Sequence, residues 1–167
     1  MKVILFDLGN TLEDTDKGVL LAGALETLKT IQGLKAGDGS SPVMALLSDF
    51  GEIPATPAQI QASMDEYLEI LEKLGIRQFF EPVAQRITLS TQAGALKPSN
   101  VIFRKAIDKI SNQLPFQNVM FITEKKEHID AARKLKMKAV HFKGPGETSG
   151  DVTKLVDLIP RVREFIK

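Results

Sequence analysis

Polar side chains that could do chemistry stand after four of the apolar runs in this sequence. The run Val3–Phe6 ends in Asp7, a second run ends in Ser48, and two further runs lead to Lys97 and to Glu124. A carboxylate can act as a nucleophile and can hold a cation, whereas a hydroxyl and an ammonium group can hold an anion.

Five short apolar runs, each followed by a segment of helical periodicity, must position these side chains. We predict strands near residues 2–6, 43–47, 86–89, 119–122 and 139–142, because runs that are apolar on both faces are typical of parallel strands. Helices are predicted near residues 18–33, 57–75, 98–110, 127–135 and 151–166. Thr56 is predicted to cap the second helix, and Pro160 to kink or split the last.

Strands that alternate with helices predict a three-layer, doubly wound α/β fold with a parallel sheet of about five strands. Ligands of such folds bind at the carboxyl ends of the strands. Asp7, Ser48, the loop of residues 90–97, and Thr123 with Glu124 all lie immediately beyond predicted strand ends. The sequence therefore predicts one site at one edge of the sheet, in a single domain of residues 1–167.

Composition excludes several classes of protein. The 167 residues are 43% hydrophobic and 26% charged, which is typical of a folded globular chain. With 22 basic and 21 acidic side chains, no global field favours nucleic acid or an anionic membrane. Zero cysteines and two histidines exclude disulfides, thiolate chemistry and a histidine-rich metal site. Asp7 interrupts the first apolar run, so we expect no secretory signal and a cytoplasmic location.

Four stretches of the sequence resemble the motifs of the haloacid dehalogenase (HAD) superfamily, most of whose members are magnesium-dependent phosphohydrolases. The first three are "ILFDLGNTL", "VMALLSDFG" and "LSTQAGALKPSNVIFRKAI", and "VMFITEKKEHIDAARKLKMKAVHF" resembles a degraded fourth. The resemblance runs from Val3 to Phe142 and implies a HAD-like core. Residues 12–42 and 51–85, where the superfamily commonly inserts a cap domain, are too short to build one.

The resemblance implies a role for each matching residue. Asp7 matches the aspartate nucleophile, which attacks phosphorus to form an aspartyl phosphate. Ser48, Lys97 and Thr11 match residues at the phosphate, and the helix that opens after Lys97 directs its positive end toward the same group.

The implied cofactor is Mg²⁺, held by the Asp7 carboxylate, the Gly9 backbone carbonyl and Glu124. Two of these positions depart from the superfamily pattern. Gly9 replaces the aspartate that serves as general acid and base, which predicts a loss of roughly 10²- to 10⁴-fold in rate. Thr123 and Glu124 replace the usual Gly-Asp pair. Three nearby residues could substitute for the missing acid if the fold brings one to the site: Glu13, Asp14 and His128.

Our first interpretation is a capless HAD-like phosphatase that is slow or selective. Its substrate would be a phosphorylated small molecule or macromolecule, and a protein partner or an oligomer would supply any lid. The alternative is a catalytically impaired HAD-like module that binds a phosphorylated ligand or a protein partner. A third interpretation is a dehalogenase, whose chemistry also uses an aspartate but needs no metal.

Overall fold

The computed structural model describes residues 1–167 and contains seven strands and seven α-helices. In chain order they are β1 (Val3–Phe6), β2 (Glu13–Asp14), β3 (Val19–Leu20), α1 (Ala24–Gly33), β4 (Val43–Ser48), α2 (Pro57–Lys73), α3 (Val83–Arg86), β5 (Ile87–Leu89), α4 (Ser90–Ala93), α5 (Asn100–Ile110), β6 (Val119–Thr123), α6 (Lys126–Lys134), β7 (Lys138–His141) and α7 (Leu158–Ile166). Short 3₁₀ helices cover Arg77–Phe80, Phe116–Asn118 and Leu155–Asp157.

Five of the strands form one parallel sheet in the order β5-β4-β1-β6-β7. The first strand of the chain is thus the central one, and its last residue, Phe6, lies opposite Leu46 of β4 and Ile122 of β6. The next backbone N–H, that of Asp7, donates to the Ile122 carbonyl at 3.0 Å. Asp7 therefore leaves the sheet at the centre of its carboxyl edge. The remaining strands, β2 and β3, form a small antiparallel hairpin.

Hydrophobic residues cover both faces of the sheet. One core cluster contains Ile4 and Phe6 of β1 with the inner sides of α1, α2 and α7. The other contains Val3 and Leu5 with α5 and α6. Because successive strand residues point to opposite faces, a run of four buried apolar residues in β1 places two in each cluster. The predicted three-layer α/β architecture is confirmed.

The structure also confirms the five predicted strands, and no strand end differs from its predicted position by more than one residue. The start of α2 forms as its sequence predicts. The Thr56 hydroxyl accepts the Gln59 backbone N–H at 3.3 Å, the Gln59 side chain accepts the Thr56 N–H at 2.8 Å, and Pro57 occupies the first helical position.

Two helix predictions were wrong in detail. The first helix begins at Ala24 instead of residue 18, because Val19 and Leu20 pair with the preceding segment as a hairpin strand. Pro160 neither kinks nor splits the last helix. Since α7 begins at Leu158, Pro160 lies in its first turn, where the missing backbone N–H has no helical partner to lose.

The two segments that could hold a cap domain stay within the three layers of the fold. After β1 the chain forms only the β2-β3 hairpin before α1, and between β4 and β5 it forms α2, a 3₁₀ turn and α3. The absence of a cap domain agrees with the prediction. No helix combines the length and the apolar composition that crossing a membrane requires.

Candidate active site

A cavity of about 440 Å³ opens at the carboxyl edge of the sheet, beyond the end of β1. Its wall is formed by the segments that follow β1, β4, β5 and β6, together with part of α2. The predicted site residues that line it come from four separate stretches of chain: Asp7, Gly9, Ser48, Lys97 and Glu124. The structure therefore brings these residues together, and Thr11 is the exception.

Asp7 and Lys97 form an ion pair in the cavity wall. The Lys97 Nζ lies 2.6 Å from Asp7 Oδ2, with the side chains 2% and 9% exposed, and it also donates to the Leu47 carbonyl at 3.1 Å. The Thr123 hydroxyl donates to the same Asp7 oxygen at 3.0 Å, whereas Oδ1 accepts only the Leu8 backbone N–H, at 2.9 Å. The carboxylate is therefore fixed through Oδ2, and Oδ1 keeps the larger unused acceptor capacity.

The backbone of Lys97 is held by Asp49, a residue that the sequence analysis did not assign to the site. The Asp49 Oδ1 accepts the Lys97 N–H at 2.8 Å. Beside it, Ser90 Oγ donates to the Phe50 carbonyl at 3.0 Å and accepts the Phe50 N–H at 2.9 Å. These bonds tie the loop after β4 to the loop after β5, which sets the distance between Ser48 and Lys97.

Ser48 is hydrogen bonded to Tyr67 of α2, a residue that was not predicted from the sequence to belong to the site. Its hydroxyl lies 2.7 Å from the Tyr67 hydroxyl, and both side chains are buried and line the cavity. Burial raises the pKa of Tyr67 far above its ordinary value, so the phenol keeps its proton. With Tyr67 as donor, the proton of Ser48 is left to point toward a ligand in the cavity.

The Tyr67→Phe variant is expected to weaken phosphate binding roughly tenfold, because one neutral hydrogen bond that orients Ser48 is lost. The readout is the inhibition constant of inorganic phosphate, measured beside kcat and KM. In a Ser48→Ala background the same change at position 67 should have no further effect. Two independent, additive losses would contradict the positioning role of Tyr67.

Glu124 is held in place by threonines on both sides. The Thr11 hydroxyl donates to Glu124 Oε2 at 2.8 Å and accepts the Glu124 backbone N–H at 3.2 Å, while the Thr123 hydroxyl lies 3.1 Å from the same Oε2. His141 Nε2 lies 2.7 Å from the Glu124 carbonyl. Burial, and next the negative charge of Asp7, raise the pKa of Glu124.

Thr11 departs from its predicted role as a substrate contact. Its side chain is fully buried and does not line the cavity. The tight turn after Asp7, in which Thr11 and the next two residues donate to the Leu8 carbonyl, directs Thr11 inward toward Glu124. The structure therefore gives Thr11 a positioning role behind the site.

Comparison with solved structures shows the same architecture along nearly the whole chain. A haloacid dehalogenase-like hydrolase from Streptococcus pneumoniae is 13% identical, covers 96% of this chain and 98% of its own, and has a TM-score of 0.69. YfnB from Bacillus subtilis, a HAD-family protein solved with bound magnesium, is 11% identical with the same two coverages and a TM-score of 0.70. A HAD-superfamily hydrolase from Geobacter sulfurreducens is 10% identical, covers 96% of this chain and 99% of its own, and has a TM-score of 0.68.

The chain has the HAD-like fold. At such low identities the likeness describes the architecture alone. No protein-family model matches the sequence, and comparison with curated proteins gives no match. The chemistry of the site must therefore be argued from its own side chains.

The oxygen ligands available in the cavity fit a magnesium ion. The Thr123 Oγ1 lies 3.0 Å from Asp7 Oδ2 and 3.1 Å from Glu124 Oε2, so the two carboxylates are adjacent. Gly9, whose backbone carbonyl is the third predicted ligand, lines the same cavity. No third acidic or histidine side chain joins them. Magnesium commonly uses one or two carboxylates and keeps several waters. The cavity wall carries four carboxyl groups against two lysine ammonium groups, an excess of negative charge that favours a cation.

Two of the three residues that could replace the acid missing at Gly9 reach the cavity. Glu13 and His128 line its wall. Asp14 does not, because it pairs with Lys17 Nζ at 3.0 Å and accepts nearby backbone N–H groups. Burial, and next the charge of Asp14, raise the pKa of Glu13, whose carboxyl has no hydrogen-bond partner in the protein.

His128 is buried, contrary to the exposure that its charged neighbours in the sequence predict. It is 5% exposed, and its Nδ1 has no hydrogen-bond partner. Burial, and next the positive charge of Lys97, lower its pKa, although Asp7, Asp49 and Glu127 act in the opposite direction. His128 is therefore neutral at neutral pH.

The pKa of His128 predicts how stability depends on pH. An unfolded histidine takes up a proton near pH 6.5, whereas the folded one does so only at lower pH. The unfolded state thus binds more protons as pH falls through about 6.5, and the free energy of unfolding decreases by at most about 1.4 kcal/mol per pH unit. Urea unfolding across this range should show a steeper loss for the wild type than for His128→Gln. Parallel curves for the two proteins would contradict a neutral buried His128.

Proposed function

We propose that this chain is a magnesium-dependent phosphatase in which Asp7 forms an aspartyl phosphate. The observation that carries the proposal is the buried pair of Asp7 and Lys97, 2.6 Å apart in a cavity at the carboxyl edge of the sheet. It places a nucleophilic carboxylate beside a fixed positive charge. The carboxylate could attack a bound phosphate group, and the positive charge would stabilise the negative charge of its oxygens.

The nucleophile is Asp7 Oδ1, since Oδ2 is occupied by Lys97 and Thr123. Attack by Oδ1 forms a new bond to phosphorus while the ester oxygen leaves with its electron pair. Water then hydrolyses the aspartyl phosphate, which releases inorganic phosphate and regenerates the carboxylate. Splitting the displacement in this way replaces one difficult step by two easier ones.

Lys97 changes its ion-pair partner during this reaction. In the resting site it neutralises the Asp7 carboxylate. Once Asp7 is esterified it no longer carries a negative charge, and the ammonium group pairs with the phosphoryl oxygens instead. Ser48, oriented by Tyr67, donates to another of these oxygens. The protein thus holds the transferred group by one charge and one hydroxyl at fixed positions.

Mg²⁺ would be held by Asp7, the Gly9 carbonyl and Glu124, and when bound it would supply positive charge against the phosphate oxygens. Thr11 and Thr123 fix the Glu124 carboxylate, so its added methylene relative to aspartate does not leave it free to turn away. Without a cap domain the cavity is open to a phosphorylated small molecule, to the phosphorylated end of a macromolecule, or to a partner that covers it.

Phosphorylation of the protein itself tests this proposal most directly. The purified chain is mixed with acetyl phosphate or 4-nitrophenyl phosphate, with Mg²⁺ or with EDTA, and analysed by mass spectrometry for a phosphoryl group on Asp7 and by phosphate release. A modified Asp7 and turnover that both require Mg²⁺ are expected. Binding of inorganic phosphate without either signal would instead indicate the alternative, a phosphate-binding module. Chloride release from 2-chloropropionate without metal would indicate a dehalogenase.

A further inference from the structure

One side of the cavity is apolar and aromatic. Phe50 follows β4, and Tyr67 and Ile70 come from α2. The rings of Phe50 and Tyr67 pack edge to face, with centroids 5.2 Å apart and an interplanar angle of 73°. We refer to Phe50, Tyr67 and Ile70 as the aromatic wall.

The aromatic wall adjoins the proposed phosphate-binding residues, Ser48 and Lys97. Tyr67 belongs to both, because its ring packs on Phe50 while its hydroxyl lies 2.7 Å from the Ser48 hydroxyl. A phosphate held by Ser48 and Lys97 would therefore lie in the same cavity as Phe50 and Ile70, which are available to contact its ester group. The other residues that line the cavity are mostly polar and include Lys125 and Glu124.

A second, independent observation concerns the leaving group. Position 9 carries no carboxyl, and a side chain there would press on one neighbouring methyl group. A Cβ built on Gly9 would lie 3.0 Å from the Thr15 Cγ2 methyl. The site thus offers no proton donor at this position, and a neutral His128 holds no proton that it could give up as a cationic acid. The absence of an acid at position 9 favours an ester whose oxygen leaves without being protonated, and of the three possible substitutes only Glu13 remains as a donor in the cavity wall.

We infer that the substrate of this site is an aryl phosphate monoester, an inference that rests on the phosphatase function proposed above. A phenol ionises near pH 10, as tyrosine does, and its oxide is a far better leaving group than an alkoxide. The bond from phosphorus to the aryl oxygen breaks, the electron pair departs on the aryloxide, and the aryloxide takes its proton from solvent. The ring contacts the aromatic wall, so one class of substrate satisfies both observations.

Phenyl phosphate and cyclohexyl phosphate provide the matched test, because they have the same ring size and differ in aromaticity and in leaving-group pKa. With Mg²⁺ present, we expect kcat/KM for phenyl phosphate to exceed that for cyclohexyl phosphate by at least about 100-fold. Substituted phenyl phosphates should give rates that rise steeply as the phenol becomes more acidic. A phosphotyrosine peptide beside free phosphotyrosine then distinguishes a protein source of the aryl phosphate from a small-molecule source.

Two variants test the contributions of the aromatic wall and of the leaving group separately. Phe50→Ala should raise KM for phenyl phosphate more than KM for acetyl phosphate, which has no ring to contact the wall. Gly9→Asp combined with Thr15→Ser should raise the rate with cyclohexyl phosphate and flatten the dependence on phenol acidity. Thr15→Ser removes the obstructing methyl and keeps the hydroxyl that lies 2.8 Å from Asn10 Oδ1.

Three results would overturn the inference. Equal kcat/KM for the phenyl and cyclohexyl esters, with phosphorylated Asp7 still detected, would refute the aryl preference and leave the phosphatase function standing. A shallow dependence on phenol acidity that becomes steep in Glu13→Gln would show that Glu13 supplies the proton. No phosphorylated Asp7 with any phosphoester or with acetyl phosphate would instead remove the proposed function on which the inference rests.

Discussion

The Asp7→Asn variant is expected to lose turnover by roughly 10⁴-fold or more, because the amide cannot form the covalent intermediate. Its carbonyl oxygen is neutral and a weak nucleophile, so phosphorylation of the protein should vanish together with phosphate release. The measurement is kcat with 4-nitrophenyl phosphate at saturating Mg²⁺, with mass spectrometry of the intact chain after mixing with substrate.

Asp14→Asn is the matched control for this experiment. Asp14 is also a largely buried carboxylate paired with a lysine, at 3.0 Å, but it lies outside the cavity. It should keep turnover within a few-fold of the wild type, since a partly exposed ion pair contributes little. Equal phosphatase signals from the wild type and Asp7→Asn would rule out Asp7 as nucleophile and favour a contaminating enzyme or another residue.

The largest effect on stability is expected from Lys97→Met. Methionine has a similar length and fills the space, but it leaves the 9% exposed Asp7 carboxylate without its charged partner. Removing one member of a buried pair costs about 3–5 kcal/mol, most of it the penalty of the uncompensated charge. The free energy of unfolding should fall accordingly in urea titrations, and phosphate binding should be lost in the same variant.

A double-mutant cycle isolates this charge effect from packing. The combined Asp7→Asn and Lys97→Met variant contains no buried charge at the pair and should recover much of the stability lost by Lys97→Met alone. Lys125→Met serves as a control, because Lys125 lines the same cavity but is exposed and forms no ion pair, so its replacement should change stability little. Strictly additive losses in the cycle would show that the two charges are not coupled.

The sheet, and the meeting of the site residues at one edge of it, could be predicted from the sequence for a simple physical reason. Strands buried on both faces produce continuous apolar runs, and in a parallel sheet all their carboxyl ends meet at one edge. Asp7, Ser48 and Glu124 lie at or directly after such an end, and Lys97 follows β5 after the short helix α4, so locating the strands also located these residues.

The remaining site residues could not be predicted, because their roles depend on packing between distant segments. Tyr67 occupies a helical stripe that any core residue could occupy, and only the position of α2 over β4 brings its hydroxyl to Ser48. Thr11 was assigned to substrate, yet the turn after Asp7 directs it to Glu124. His128 has charged neighbours in sequence, but its side chain faces inward from the first turn of α6.

The central position of the first strand has a consequence for how the chain is made. On the ribosome β1 is synthesised first and can pair with β4 soon afterwards, but its other edge stays open until β6 has emerged. During that interval an apolar strand with unpaired backbone groups is available to other nascent chains. Completion of the site and protection from aggregation therefore depend on the same late event, the arrival of the segment that carries Thr123 and Glu124.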